Sequence, residues 1–220
     1  MPPELAKSAT RSPSSAVLGN LALGGTTFFL IVIVAMHILS PDIDPVHRPT
    51  SEYATGPFGY LMASAFLALS LATWVLVAGL NEDLRPRGAE RIGLFFLAWF
   101  AIALLIAAAF PLDPEGAPRS LAGTIHRING PIAFLSLTLG TNFTSRLFRR
   151  HDAWRPVFRI ASALALLMIP EYFAGGFTAA QGTSAGIAQR ILIVTFASWY
   201  LVVGSRLRSN LTKDFKGVAS

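Results

Sequence analysis

The feature that most restricts this chain is a succession of long apolar runs in which charged side chains are rare or absent. The first, Ala16 to Leu39, holds no Asp, Glu, Lys or Arg over 24 residues. As an α-helix rising 1.5 Å per residue it reaches about 36 Å, against a hydrocarbon core of roughly 30 Å. Further runs of this kind cover 57–80, 92–110, 125–147, 157–177 and 187–205. With 53% hydrophobic and 14% charged residues, the chain carries more apolar surface than one soluble core of 220 residues would bury. The expected fold is all-α: an integral membrane bundle of six transmembrane helices, flanked by a flexible tail at 1–15 and a second tail at 206–220.

The ends of the runs set an expected orientation. Lys and Arg cluster in the first tail (Lys7, Arg11), between the second and third runs (Arg85, Arg87, Arg91), around the fourth-to-fifth connection (Arg146, Arg149, Arg150, Arg155, Arg159) and in the last tail (Arg206, Arg208, Lys213, Lys216). These 14 alternate with only four on the other side, Arg48, Arg119, Arg127 and Arg190. Cytoplasmic loops hold the excess of Lys and Arg, so both termini are expected in the cytoplasm, with the chain multi-pass in the cell membrane. The first run exceeds a signal-peptide core and no small-x-small cleavage site follows it, which reads as an uncleaved anchor. The formal charge of +6 follows from this topology and calls for no nucleic-acid partner. No strong internal repeat is visible, which argues against an inverted-repeat transporter.

Chemistry gathers on the expected outer side. Its loops hold Asp42, Asp44, His47, Arg48, Ser51, Glu52, Tyr53, Asp113, Glu115 and Arg119, and the adjoining run ends add His37, His126, Arg127, Gln189 and Arg190. Two readings stand side by side: a polar pocket in the outer leaflet, or interfacial side chains bonded to lipid headgroups and loop backbone. As a pocket, His126, Asp113 and Ser51 are the catalytic candidates, with His126 as acid or base and Asp113 orienting it. Glu52, Tyr53, Arg127, Glu171 and Arg190 are the substrate-binding candidates. Glu171 falls some 21 Å into a core of roughly 30 Å, counting from Val157. A carboxylate there must pair, protonate or face water, and Arg190, His126 and His37 are its candidate partners by depth; the alternative is that the fifth span ends early. Pro170 beside it removes a backbone hydrogen bond.

Other patterns add little. Cysteine is absent, and no paired-His or HExxH spacing occurs, so neither a metal nor a cofactor is expected, although His37, His47 and His126 lie on one side with Asp113 and Glu52. Ser136, Gly140 and Thr144 repeat every four residues along the fourth span, a small face suited to close packing within the chain. The sequons at Asn142 and Asn210 lie in a span and in the last tail, where glycosylation is not expected.

Two outer segments carry a family resemblance. Ser51-Glu52-Tyr53-Ala54-Thr55-Gly56-Pro57-Phe58-Gly59-Tyr60 leads into the second span, with Pro57 suited to its first turn, and Phe110-Pro111-Leu112-Asp113-Pro114 is followed by His126 entering the fourth. The chain thereby resembles the prokaryotic membrane proteins grouped as domain of unknown function 998 (DUF998), which implies a multi-pass helical fold and no particular activity. The positions that carry over are Ser51, Glu52, Gly56, Pro111, Asp113 and His126. More remotely, the chain is similar to the Frag1/DRAM/Sfk1 group, some members of which act in lipid-anchor remodelling. Three functions are therefore in view: binding or modifying a membrane lipid or amphiphile at the outer pocket, a non-catalytic accessory subunit of a larger membrane-protein complex, and a proton-coupled carrier using Glu171.

Overall fold

A computed structural model describes residues 13–209, which form six long helices. These are α1 (Pro13–Leu39), α2 (Gly59–Leu84), α3 (Ile92–Ala109), α4 (Leu121–Phe148), α5 (Arg155–Ala180) and α6 (Ala185–Ser209), with short 3-10 turns at Thr50–Thr55 and Gly88–Arg91. Among the described residues there is no strand. Lys7, Arg11, Lys213, Lys216 and the Asn210 sequon lie outside the described residues.

The helices extend past the apolar runs at several ends. α1 starts at Pro13, α4 at Leu121 and α6 ends at Ser209, so the expected tails are partly helical. Pro57 is not in the first turn of α2 as expected. The 3-10 turn before it folds back on the helix start, the Gly59 N–H meets Gly56 O at 2.9 Å, and a Cβ on Gly59 would lie 2.2 Å from Ala54 O. Only glycine admits that approach.

Each helix packs on its sequence neighbour, and α6 returns to α1, closing a ring of six. One end gathers the arginines: Arg150 pairs with Glu90 at 3.1 Å, and Arg206 donates to Ala153 O at 2.6 Å. The opposite end carries the α1–α2, α3–α4 and α5–α6 connections and is called the loop end below. Outward-facing Val34, Leu71, Phe95, Ile128 and Val194 are 61–66% exposed, an apolar exterior suited to acyl chains.

Every long helix except α4 is long and apolar enough to cross a membrane. α4, with 28 residues, is the longest, and its polarity points inward. Asn129 donates to Ala103 O of α3 at 2.8 Å, and Asn142 to Ala165 O of α5 at 2.6 Å. Trp199 of α6 donates its indole N–H to Ser145 at 2.9 Å. The small face of α4 meets α3 as expected: a Cβ on Gly140 would lie 2.9 Å from the Leu97 backbone nitrogen, and one on Gly93 would lie 2.5 Å from the Thr144 hydroxyl. Without a hydrophobic force between helices in lipid, such close approach and interhelical hydrogen bonding hold a bundle together.

Candidate functional site

The loop end opens into a cavity of about 880 Å³ that descends between α4, α5 and α6 to the middle of the bundle. Its origin lies in α5. Ala161, Ala165 and Met168 are the buried residues of that helix, and beyond Pro170 none is buried, although the helix continues unbroken to Ala180. The bonds joining α4 to α5 run from Thr141, Asn142 and Ser145 to Met168, Ala165 and Ala161, all toward the arginine end. Toward the loop end the two helices leave a gap, bordered by Gly130 and Pro131 on α4 and Gly175 and Gly176 on α5. A Cβ added at Gly130, Gly175 or Gly176 would meet nothing within 4 Å. Phe173 and Phe177 line the cavity yet are 67% and 65% exposed, so it is open on the α5 side.

Of the residues singled out by sequence, Ser51, Glu52, His126, Arg127 and Glu171 line this cavity, as does His47. Asp113, Tyr53 and Arg190 do not.

His126 is buried one and a half turns into α4. Its Nδ1 lies 2.7 Å from Phe110 O, a carbonyl left free where α3 ends. A carbonyl only accepts, so Nδ1 carries the proton and Nε2 keeps its lone pair. The orienting partner expected for this histidine was Asp113, but that carboxylate is engaged elsewhere. It accepts the Ser120 N–H at 3.2–3.3 Å and lies over the first turn of α4, where a Cβ on Gly123 would come within 1.9 Å of its Oδ2. The Ser120 hydroxyl caps the Gly123 N–H at 3.0 Å. Hydrogen bonding from Ser120, with the charges of Arg127 and Arg119, holds Asp113 below the usual carboxylate range. The unpaired N–H groups and the dipole of a helix start draw the carboxylate to that position.

Ser51 is buried in the 3-10 turn beside the cavity, and its hydroxyl makes no hydrogen bond among the described residues. Glu52 pairs with Arg48, which also reaches Glu115 at 3.0 Å, joining the first and third connections across the mouth. At the rim His47 meets Asp44 at 2.5 Å, and that bond lowers the Asp44 pKa.

Tyr53 and Arg190 belong to a clamp. Arg190 donates through Nε to His37 Nε2 at 2.9 Å, through Nη1 to Arg48 O at 2.9 Å and Gly186 O at 3.1 Å, and through Nη2 to the Tyr53 hydroxyl at 3.0 Å. Thr50 adds backbone and hydroxyl bonds to Gln189. The α1–α2 connection is thus fastened to the start of α6, and a Cβ on Gly186 would collide with Arg48 O and Pro45 O at 2.5 Å.

Glu171 lies well inside α5, a helix that continues unbroken to Ala180. None of its expected partners reaches it: His126 is held by Phe110, and Arg190 and His37 by each other. Instead Oε1 accepts the Thr195 hydroxyl at 2.7 Å, while Oε2 is buried without a donor. Three histidines do not converge, and among the described residues no three His, Cys, Asp or Glu side chains gather to hold a metal. Asn129 and the Gly130-Pro131 and Gly175-Gly176 pairs are cavity residues that sequence reasoning passed over, whereas Gln189, named among the outer-side groups, does line it. Proline beside small residues at matching depth in two spans was the available signal.

Fold and cavity define the class: a multi-pass helical membrane protein with a deep pocket entered from one end and one side. The chain belongs to the family described as protein of unknown function (DUF998), which matches residues 23–206, from within α1 to within α6. No curated protein and no solved structure matches the chain.

Proposed function

We propose that the protein binds a lipid or other amphiphile in this cavity, the apolar chain entering between α4 and α5 and the polar head lying among Ser51, Glu52, His126 and Glu171. The observation that carries this reading is a cavity of about 880 Å³ walled by side chains such as Leu69, Phe100, Leu104 and Phe196, with a few polar groups, among them Ser51, Glu52, His126 and Glu171. Pockets that bury most of a ligand share this form, mostly apolar with a few placed polar groups. If the bound molecule is also modified, His126 Nε2 is the base, since Nδ1 is committed to Phe110 O.

The same proposal places the protein in the cell membrane, with the loop end outward and the arginine end and both termini cytoplasmic. Ten of the fourteen described Lys and Arg, from Arg85 to Arg208, support that orientation, against Arg48, Arg119, Arg127 and Arg190. Reporter fusions at the α3–α4 and α4–α5 connections should report opposite sides; the same side for both would end it.

Binding is tested by extracting lipid from protein purified in mild detergent. Wild type should retain a bound amphiphile, and Gly130→Phe and Gly175→Phe, which project rings into open space, should lose it while melting normally. A wild type that carries nothing, or variants that carry as much, would overturn the reading.

A further inference from the structure

We infer that the amphiphile taken up here has a protonated amine for its head, paired with Glu171. This rests on the reading of the cavity as an amphiphile site and adds the chemical class.

Three polar side chains of the cavity wall present acceptors. His126, 6% exposed, turns its N–H to Phe110 O and leaves Nε2 bare. Asn129, 9% exposed and three residues on along the same face of α4, commits its amide NH₂ to Ala103 O at 2.8 Å, so its Oδ1 is unbonded. From α5 comes Glu171, with one oxygen held by Thr195 and the other buried with no donor. The Tyr172 hydroxyl beside it serves either way.

Among the described residues no cation answers that carboxyl. No ion pair within 4 Å involves Glu171. Arg190 is occupied by the clamp, Arg48 lies between Glu52 and Glu115, and Arg127 stands exposed at the rim, where its field acts on Asp113. An ionised carboxyl taken out of water without a counter-charge is costly, and the cost is removed by a proton or by a cation brought from outside. A proton alone answers Glu171 but brings no donor to His126 Nε2 or Asn129 Oδ1, which have none among the described residues. An ammonium brings charge and several N–H donors together, and the Phe173 and Phe177 rings add faces on which a cation rests. A carboxylate or phosphate head set against Glu171, His126 Nε2 and Asn129 Oδ1 would meet acceptors rather than donors.

The experiment uses full-length protein in mild detergent and three probes that share one saturated chain: a primary alkylamine, the alcohol and the carboxylate. Affinity is read by equilibrium retention of the radiolabelled probe on the purified protein at neutral pH, with Gly130→Phe as the cavity-blocked control. The amine should bind about tenfold tighter than the alcohol, a difference of about 1.4 kcal/mol, and the carboxylate weakest. Glu171→Gln should bring the ratio of amine to alcohol down to about one. Thr195→Val, which takes the one donor from the carboxyl, should raise it, and keeps the idea testable should Glu171→Gln fail to fold. Equal binding of amine and alcohol, or preference for the carboxylate, overturns the amine assignment and leaves amphiphile uptake standing. If none of the three binds, or the blocked control binds them equally well, the cavity reading itself falls.

Discussion

Replacing Arg190 separates a clamp from a ligand-binding role. Three of its bonds reach other elements: His37 on α1, Arg48 O in the first connection and the Tyr53 hydroxyl in the 3-10 turn. Hydrogen bonds from a charged donor contribute about 1.5–3 kcal/mol each, so three set an upper range of about 5–9 kcal/mol. The side chain is only half-buried, water can reach some of the orphaned acceptors, and such deletions are not additive, so Arg190→Met should cost about 3–4 kcal/mol. Arg190→Lys keeps the charge but not the planar fork, and should recover no more than about half of that loss. Unfolding by graded sodium dodecyl sulfate in mixed micelles, followed by far-ultraviolet circular dichroism, measures both. Tyr53→Phe closes a double-mutant cycle in which coupling of about 0.5–3 kcal/mol is expected with Arg190. A loss below about 1 kcal/mol for Arg190→Met, together with lost amphiphile binding, would refute the clamp and return Arg190 to the site.

The other predictions concern the start of α4 and its packing. Asp113 has a folded pKa depressed below 3.8, so its contribution is present above that value and is lost as pH falls through the folded pKa. Melting temperature should therefore show an acid limb that Asp113→Asn removes; an unchanged limb would place the titration elsewhere. Gly123→Ala puts a Cβ where the Asp113 carboxylate lies, and the same loss of the acid limb should appear in its melts across pH. Gly140→Ile forces α4 from the Leu97 backbone and should destabilise by about 1–3 kcal/mol in the detergent titration. Asn142→Leu removes bonds to Thr138 O and Ala165 O and should cost about 0.6–1.7 kcal/mol by the same assay, the range measured for polar contacts inside membranes.

What was legible in the sequence was whatever depends on length and hydropathy. Five spans are plain in that sense, and the fourth was found despite Asn129, Asn142 and the neighbouring serines and threonines because its length and flanking loops fit. The small face through Gly140 was legible because period four on a helix is one line of contact. The partners of the polar residues were not. His37, His126, Arg190 and Glu171 share a level, which is all that counting residues gives. Which of them meet depends on rotation about each helix axis, and six helices can be rotated into many pairings at the same depth. Backbone carbonyls decided the outcome: Phe110 O took His126 and Arg48 O took Arg190, and a sequence does not mark which carbonyls a turn will leave free.

The placement of the cavity follows from where α4 and α5 lose their hold on each other. In the half toward the arginines, Asn142, Ser145 and Thr141 reach across to α5, and Ala161 and Ala165 let the backbones approach. In the other half, α5 offers Gly175, Gly176 and large exposed rings, and α4 offers Gly130 and Pro131; none of these has a side-chain donor with which to reach across. Pro131 and Pro170 each lack the N–H that would bond a carbonyl one turn back, so both helices carry a weakened backbone step near the depth where the gap begins. Glu171 sits directly past that step on α5, and its hydrogen-bond partner is a hydroxyl on α6 rather than a base. The polar residue with least reason to be in lipid thus stands at the inner end of the part of the bundle that is left unfilled. That coincidence of an open half and an unanswered carboxyl follows from how two proline-bearing helices divide, and is the physical reason to look for the ligand there.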